Sequence, residues 1–165
     1  MTGLREAVAT DFERILRLNE AEEHLTSPLT LERLIRLVQM SSYCKVATVG
    51  RETAGFLIAF REGVPYESEN YRWFDQRLSR FLYVDRIVVG AAFSRQGIGS
   101  RLYGDLFAFA RLRQVETIAC EYNVDPPNPA SRAFHDRFGF TEIGTRRVAG
   151  GNKQVSLQIA ETAGA

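Results

Sequence analysis

The chain has 165 residues, 45% of them hydrophobic, which is enough for a single domain with a substantial core. Its 21 basic and 20 acidic residues nearly cancel, which argues against a protein that binds nucleic acid by neutralising phosphates. No apolar run approaches the ~20 residues of a membrane span, and the polar N-terminus shows no signal peptide, so we expect a cytoplasmic protein that does not bind membranes. Cys44 and Cys120 form no CxxC pair and have no histidine cluster nearby, which predicts reduced, buried thiols and no metal site.

The first half of the chain is predicted to hold two helices followed by an antiparallel strand pair. Thr10 and Glu13 have the spacing of a capping box, with Thr10 as the N-cap of the first helix. His24 follows that helix and is interpreted as a loop residue. The predicted elements are a strand at Leu4–Val8, a helix ending near Glu22 or Glu23, a helix from Thr30 or Leu31 to Met40, and strands at Tyr43–Val49 and Thr53–Phe60.

The segment from Arg61 to Ser79 is the least regular internal stretch of the chain. It concentrates aromatic residues, among them Tyr71 and Trp73, between acidic residues. A connection this long inside a compact domain is often functional. Its aromatic side chains could equally cap the core or a dimer interface, and both interpretations stay open.

The central unit is predicted to be a buried strand at Tyr83–Val89, a glycine turn, and a helix that begins near Gly97 or Gly99. Glycines one residue apart at a strand-to-helix junction let backbone approach a ligand closely. The unpaired N–H groups at the start of the helix suit a phosphate or pyrophosphate. The alternative is a helix start that binds nothing.

The last third is predicted to be a strand at Val115–Tyr122, a helix at Pro129–Phe138, and two strands at 140–143 and Val155–Ile159. Asn128 suits the N-cap of the helix, because Pro129 follows it at the first helical position. The carboxyl ends of the two strands on either side of the long helix should lie beside one crevice, which would bring Glu121 and Asn123 near the glycine turn.

The glycine turn can be compared with the known phosphate-binding motifs. The dinucleotide pattern GxGxxG fails because Leu102 replaces its third glycine, and the P-loop fails because no lysine follows the glycines. The pattern [Q/R]xxGxG does fit, although Ser94 stands at its first position, and NPASRAFHDRFGF resembles the pattern NxxSxxFYxxxGF. The chain therefore resembles the GNAT superfamily of N-acetyltransferases. This resemblance implies one mixed α/β domain over residues 1–160, with a mostly antiparallel sheet of about six to seven strands and about four helices. The small residues at 161–165 predict a disordered tail.

The resemblance also implies acetyl-CoA as cofactor, and positions of this chain that would bind it. The implied coenzyme A-binding residues are Ile87, Val88, Val89, Arg95, Gln96, Gly97, Ile98, Gly99, Ser100, Asn128, Ser131 and Phe134. Backbone N–H groups of residues 95–100 would hold the pyrophosphate, and strand residues 87–89 would pair with the pantetheine. The long irregular segment would face the acceptor, so Tyr71 and Trp73 are candidate substrate residues. Asn123, after the predicted strand Val115–Tyr122, is a third.

Three residues are candidates for proton transfer. Asp85 lies in an apolar strand, where an unpaired carboxylate costs several kcal/mol, so it has either an ion-pair partner or a catalytic role. Glu121 is a second candidate base, or a solvated residue at a strand end. His135 stands where the family often has a tyrosine acid, and it is either a proton donor to the leaving thiolate or a half-buried helix residue.

The predicted activity is direct transfer of an acetyl group from acetyl-CoA to a primary amine. Acidic and aromatic residues in the 61–79 segment favour a small cationic amine, an amino acid or a peptide N-terminus as the acceptor. One alternative is a non-catalytic acyl-CoA sensor on the same fold, and another is a domain that uses the glycine turn for a different anion. A homodimer is common among similar proteins, and the sequence does not decide this.

Overall fold

The computed structural model describes residues 1–23 and 26–163, and in this part of the chain it is a mixed α/β structure with seven strands and five α-helices. The predicted fold class is confirmed, with one more helix than expected. The strands are β1 (Thr2–Glu6), β2 (Tyr43–Val49), β3 (Glu52–Arg61), β4 (Leu82–Val89), β5 (Thr117–Asp125), β6 (Thr141–Val148) and β7 (Lys153–Glu161), and the helices are α1 (Phe12–Ala21), α2 (Leu31–Met40), α3 (Glu69–Asp75), α4 (Ile98–Leu112) and α5 (Pro129–Arg137). His24, predicted to be a loop residue, lies outside the described residues.

The strands form one sheet in the order β1-β2-β3-β4-β5-β7-β6. The pair β4–β5 is parallel, whereas β1–β2, β2–β3, β5–β7 and β6–β7 are antiparallel. The chain divides into two compact units, one formed by residues 1–64 and 84–106 and the other by residues 65–83 and the chain from residue 107 onwards. The single domain over residues 1–160 stays a prediction.

The first unit has its core between the helices α1 and α2 and the strand β3, whose side chains from Ala54 to Phe60 are buried. The capping box predicted at Thr10 is wrong. Thr10 lies in a short 3-10 turn before α1, and the Asp11 carboxylate accepts the Val8 N–H at 2.8 Å. Asp11 is buried and also pairs with Arg5 at 2.7 Å, which lowers the pKa of its carboxyl group. The Asp11 carboxylate therefore connects this turn to Arg5 on β1.

The second unit contains residues 65–79 of the segment predicted to be irregular. A helix, α3, forms there because Ser68 caps its N-terminus by accepting the Tyr71 N–H, and because Tyr71 and Phe74 are buried on its inner face. Strand β7 also runs further than predicted, to Glu161. Thr162 is buried and donates to the Val115 carbonyl at 2.8 Å, so the disordered tail expected from residue 161 is wrong for these two residues. Residues 164 and 165 lie outside the described part.

Candidate active site

The glycine turn precedes helix α4, which begins at Ile98 as the sequence predicts. Gly97 has φ = 74°, and an ideal Cβ placed on it would meet no atom within 4 Å. Arg95 has φ = 63°, a left-handed conformation that costs a residue with a Cβ energy. Residues 94–97 are all exposed. A strained, exposed turn with open space over its glycine, at the N-terminus of a 15-residue helix, fits the approach of a phosphate group.

Strand β4 packs closely on β3 next to this turn. An ideal Cβ on Gly55 would lie 2.7 Å from the Val88 carbonyl oxygen, so only glycine fits there without displacing backbone. The Gly90 N–H donates to the Ala54 carbonyl at 2.7 Å. These contacts hold the carboxyl end of β4, which includes the predicted pantetheine-binding residues Ile87, Val88 and Val89, in one position beside β3.

Asp85 forms the ion pair that was one of its two predicted roles. Its Oδ2 lies 2.7 Å from Arg86 Nε, and the two side chains are only 5% and 3% exposed. The guanidinium also donates to Asn19 Oδ1 at 3.0 Å and to Ser27 Oγ at 2.9 Å. The ion pair alone accounts for a buried carboxylate in this strand.

Glu121 is held by hydrogen bonds at the other candidate base position. The Tyr83 hydroxyl lies 2.7 and 2.8 Å from its two carboxylate oxygens, and Asn70 Nδ2 donates to Oε1 at 3.2 Å. The residue is half-buried. The alternative interpretation of Glu121 was a solvated residue at a strand end. The hydrogen bonds from Tyr83 and Asn70 argue against that interpretation. The carboxylate is oriented and can accept a proton.

Helix α5 begins as predicted at Asn128, whose side chain accepts the Ser131 N–H at 3.2 Å. This hydrogen bond uses the Asn128 carbonyl oxygen within the helix. The Ser131 hydroxyl lies 3.3 Å from His135 Nδ1, one turn later. Asn128 and Ser131 thus have structural contacts in α5, and their binding of coenzyme A remains a prediction.

The geometry of His135 counts against its predicted role as an acid. Its Nδ1 lies 2.7 Å from the Ser131 carbonyl oxygen, which can only accept, so Nδ1 carries the proton and Nε2 of the neutral ring has none to donate. Burial lowers the pKa of His135, which disfavours the cation that could donate from Nε2. The ring packs on Tyr122 at 5.3 Å between centroids, and strand alternation places Glu121 and Tyr122 on opposite faces of β5. His135 and Glu121 therefore do not share a face.

The predicted substrate residues have different environments. Tyr71 is 1% exposed and packs edge-on against Tyr83, so it belongs to the core. This burial argues against the predicted contact between Tyr71 and the substrate. Trp73 is half-buried, with the Arg77 guanidinium 3.9 Å from its ring centre. Asn123 is half-buried on β5, on the same face as Glu121. The predicted cofactor residue Phe134 is half-buried and packs edge-on against His135.

Two residues beside Glu121 were missed by sequence reasoning, namely Tyr83 and Asn70. Tyr83 was read only as the start of a strand, and Asn70 lies 51 positions before Glu121 in the chain. No local pattern marks a hydrogen bond over that separation. Among the described residues no group of three or more His, Cys, Asp or Glu could hold a metal ion. None of the described helices is long and apolar enough to cross a membrane.

Several solved structures with a similar fold are named as N-acetyltransferases. The ribosomal-protein-S18-alanine N-acetyltransferase from Escherichia coli is 18% identical, with a TM-score of 0.76, and the match covers 100% of this chain and 96% of that one. Ard1 from Thermoplasma volcanium is 18% identical, with a TM-score of 0.78 and 97% coverage of both chains. A chain of the NatC complex bound to Gag peptide and CoA is 14% identical, with a TM-score of 0.77, and the match covers 97% of this chain and 98% of that one. At these identities the likeness establishes the fold.

The family follows from the sequence itself. Residues 6–140 match the model of the acetyltransferase (GNAT) family, so the chain belongs to this family. The matched region contains the glycine turn, both candidate bases and helix α5. No curated protein sequence matches the chain.

Proposed function

We propose that this protein is an acetyl-CoA-dependent N-acetyltransferase that moves an acetyl group to a primary amine. The family match over residues 6–140 carries this proposal. The exposed turn with open space over Gly97 supports it, because backbone N–H groups of residues 95–100 can then donate to the pyrophosphate. The strand residues 87–89 would pair with the pantetheine through their main chains.

The reaction proposed is a direct attack by the neutral amine on the thioester carbonyl. A C–N bond forms, the C–S bond breaks, and the coenzyme A thiolate leaves. The amine nitrogen must lose a proton, which the Glu121 carboxylate accepts directly or through one water molecule. We assign the base to Glu121 and not to Asp85, because Asp85 is buried in its ion pair.

The leaving sulfur needs no assigned acid. A thiol with an ordinary pKa near ~8.5 is a good leaving group as its anion and can take its proton from water. The tautomer that Ser131 imposes on His135 fits a structural role in α5. Turnover of a His135→Phe variant that matches wild type from pH 6 to 9 would agree with this, and a large loss of turnover would restore His135 as the acid.

A peptide N-terminus is the first acceptor to examine. The Escherichia coli neighbour is named for the alanine of a ribosomal protein, and the NatC structure holds a peptide together with CoA. A small cationic amine and a free amino acid complete the acceptor panel. Cytoplasmic localisation and a homodimer stay predictions of the sequence.

Thermal unfolding with acetyl-CoA, coenzyme A, ATP and NAD tests the cofactor. Ligand at ~100 times its dissociation constant stabilises by ~2.7 kcal/mol, which should raise the midpoint by roughly 5–11 °C for a chain of this size. Gly97→Trp is the control variant, because a Cβ on this exposed residue would meet no atom within 4 Å. It should fold, with some loss of stability from the left-handed backbone conformation, and lose the shift.

Transfer is then measured as release of the free thiol with the acceptor panel. A shift confined to coenzyme A compounds, followed by thiol release with an amine, supports the proposal. Binding without transfer to any amine would favour the acyl-CoA sensor. A shift with ATP as large as that with coenzyme A would mean that the turn binds another anion.

A further inference from the structure

The Glu121 carboxylate is the end of a hydrogen-bonded chain that reaches strand β6. Asn70 Nδ2 donates to Glu121 Oε1 at 3.2 Å, and Arg146 Nη1 donates to Asn70 Oδ1 at 3.0 Å. Arg146 Nη2 in turn donates to Glu69 Oε2 at 3.0 Å. Tyr83 contacts Glu121 from strand β4. Three separate elements, α3, β4 and β6, thus contribute to the surroundings of one carboxylate.

The chemistry of these groups determines how the Asn70 amide is oriented. A guanidinium can only donate hydrogen bonds, so Arg146 requires the carbonyl oxygen of Asn70 to face it. The NH₂ group of Asn70 then faces Glu121 and donates to the carboxylate. The ionised Glu121 carboxylate favours the same orientation, because it can only accept hydrogen bonds. Arg146 therefore reinforces the orientation of Asn70 that stabilises ionised Glu121.

The backbone elements that carry Asn70 and Arg146 are held close together. An ideal Cβ on Gly144 would lie 2.8 Å from the Trp73 ring, so glycine at this position lets α3 approach β6. Arg146 is two residues further on and lies on the same face of β6 as Gly144. Within α3 itself, Phe74 is fully buried and anchors the helix to the core. Packing thus places the amide between the guanidinium and the carboxylate.

We propose that Asn70 and Arg146 are positioning residues that orient Glu121 and keep it ionised for proton transfer. This rests on the proposed function, which makes Glu121 the base. The titratable or charged groups that the described contacts bring to this carboxylate are Tyr83 directly and, through Asn70, Arg146 and Glu69. Neither positioning residue needs to touch the reacting atoms.

The test compares pH profiles of kcat/KM for the amine in the variants Asn70→Asp and Arg146→Met. Asn70→Asp replaces the donor by a second carboxylate, so Glu121 should hold its proton to higher pH and the acid limb should move upwards. At pH 6.5 we expect kcat/KM to fall roughly tenfold, a part of the 10²–10⁴ that a general base contributes. Arg146→Met should shift the acid limb in the same direction but by a smaller amount. Arg146→Lys should lose less kcat/KM than Arg146→Met. KM for acetyl-CoA and the unfolding midpoint should stay near their wild-type values.

Arg147→Met is the matched control. Arg147 is the next residue on β6, lies on the opposite face, and pairs with Asp125 at 3.3 Å with both side chains more than half exposed. Its profile should equal that of wild type, and an equal shift in this variant would overturn the proposal by showing a general charge effect.

The remaining outcomes distinguish failure of the positioning role from failure of the proposed function. If wild type transfers acetyl groups and Glu121→Gln does not, but the Asn70 and Arg146 variants keep the wild-type profile, the positioning role is overturned and the proposed function stands. If Glu121→Gln is fully active, Glu121 is not the base and the positioning role is overturned with it. If wild type binds no coenzyme A compound and transfers to no amine, both proposals fail.

Discussion

Replacement of Arg86 by methionine should destabilise this protein severely. The Arg86 side chain is 3% exposed, and its guanidinium contacts Asp85 at 2.7 Å, Asn19 at 3.0 Å, and Ser27 Oγ at 2.9 Å. Methionine has no donor, so the substitution leaves a buried carboxylate without the cation it contacts. Breaking a buried ion pair by removing one partner costs about 3–5 kcal/mol. For a chain of this size that is a fall in midpoint of roughly 6–20 °C.

Urea denaturation followed by fluorescence measures the free energy of unfolding of each variant. The double variant Asp85→Asn and Arg86→Met should lose less than the sum of the two single losses, because neither charge is then left buried alone. Arg17→Met is the surface control, since Arg17 pairs with Glu13 at 2.6 Å while both side chains are more than half exposed. It should show no measurable change.

A loss below about 1 kcal/mol in Arg86→Met, or losses that simply add in the double variant, would refute the reasoning, because buried charges that contact each other must couple. The pair also bears on catalysis. If the ion pair is the whole role of Asp85, Asp85→Asn should retain turnover per folded molecule.

Three further predictions concern burial and backbone. The pKa of His135 is lowered in the folded state, so the unfolded chain binds more protons and the free energy of unfolding falls as pH decreases below ~6.5. In His135→Phe the unfolding midpoint should therefore fall less between pH 7 and pH 5 than in wild type. An equal or larger fall would contradict this. Gly97→Ala should cost ~1–2 kcal/mol through left-handed strain alone, and Gly97→Asn should cost less because asparagine tolerates that conformation; equal urea midpoints for the two would argue against strain. Gly55→Ala should cost ~1–3 kcal/mol, because its Cβ would lie 2.7 Å from the Val88 carbonyl oxygen, and an unchanged midpoint would show that β4 can move away.

Local sequence signals predicted much of this fold. The strand before the glycine turn, the start of α4 and the Asn128 cap of α5 all lie at or within a residue of their predicted places, because each depends on side chains only a few positions apart. The same motifs carried the family resemblance, which the match over residues 6–140 confirms.

Local reasoning failed where contacts with other elements intervened. Thr10 and Glu13 have the spacing of a capping box, but Thr10 lies within a 3-10 turn, in which the Asp11 carboxylate accepts the Val8 N–H and pairs with Arg5 on β1. The 61–79 segment contains a helix that its composition did not indicate. That helix forms because the core buries Tyr71 and Phe74.

The sequence by itself determined the order of the elements, the glycine turn and the family, since these follow from periodicity and from motifs contiguous in the chain. The tertiary structure decided which carboxylate is available to accept a proton. Asp85 and Glu121 both looked like candidate bases. Asp85 pairs with the next residue, Arg86, whose guanidinium folding brings to Asn19, and folding brings Tyr83 and Asn70 to Glu121. Hydrogen bonds between residues 38 to 67 positions apart depend on how strands and helices pack, and no local pattern encodes that packing.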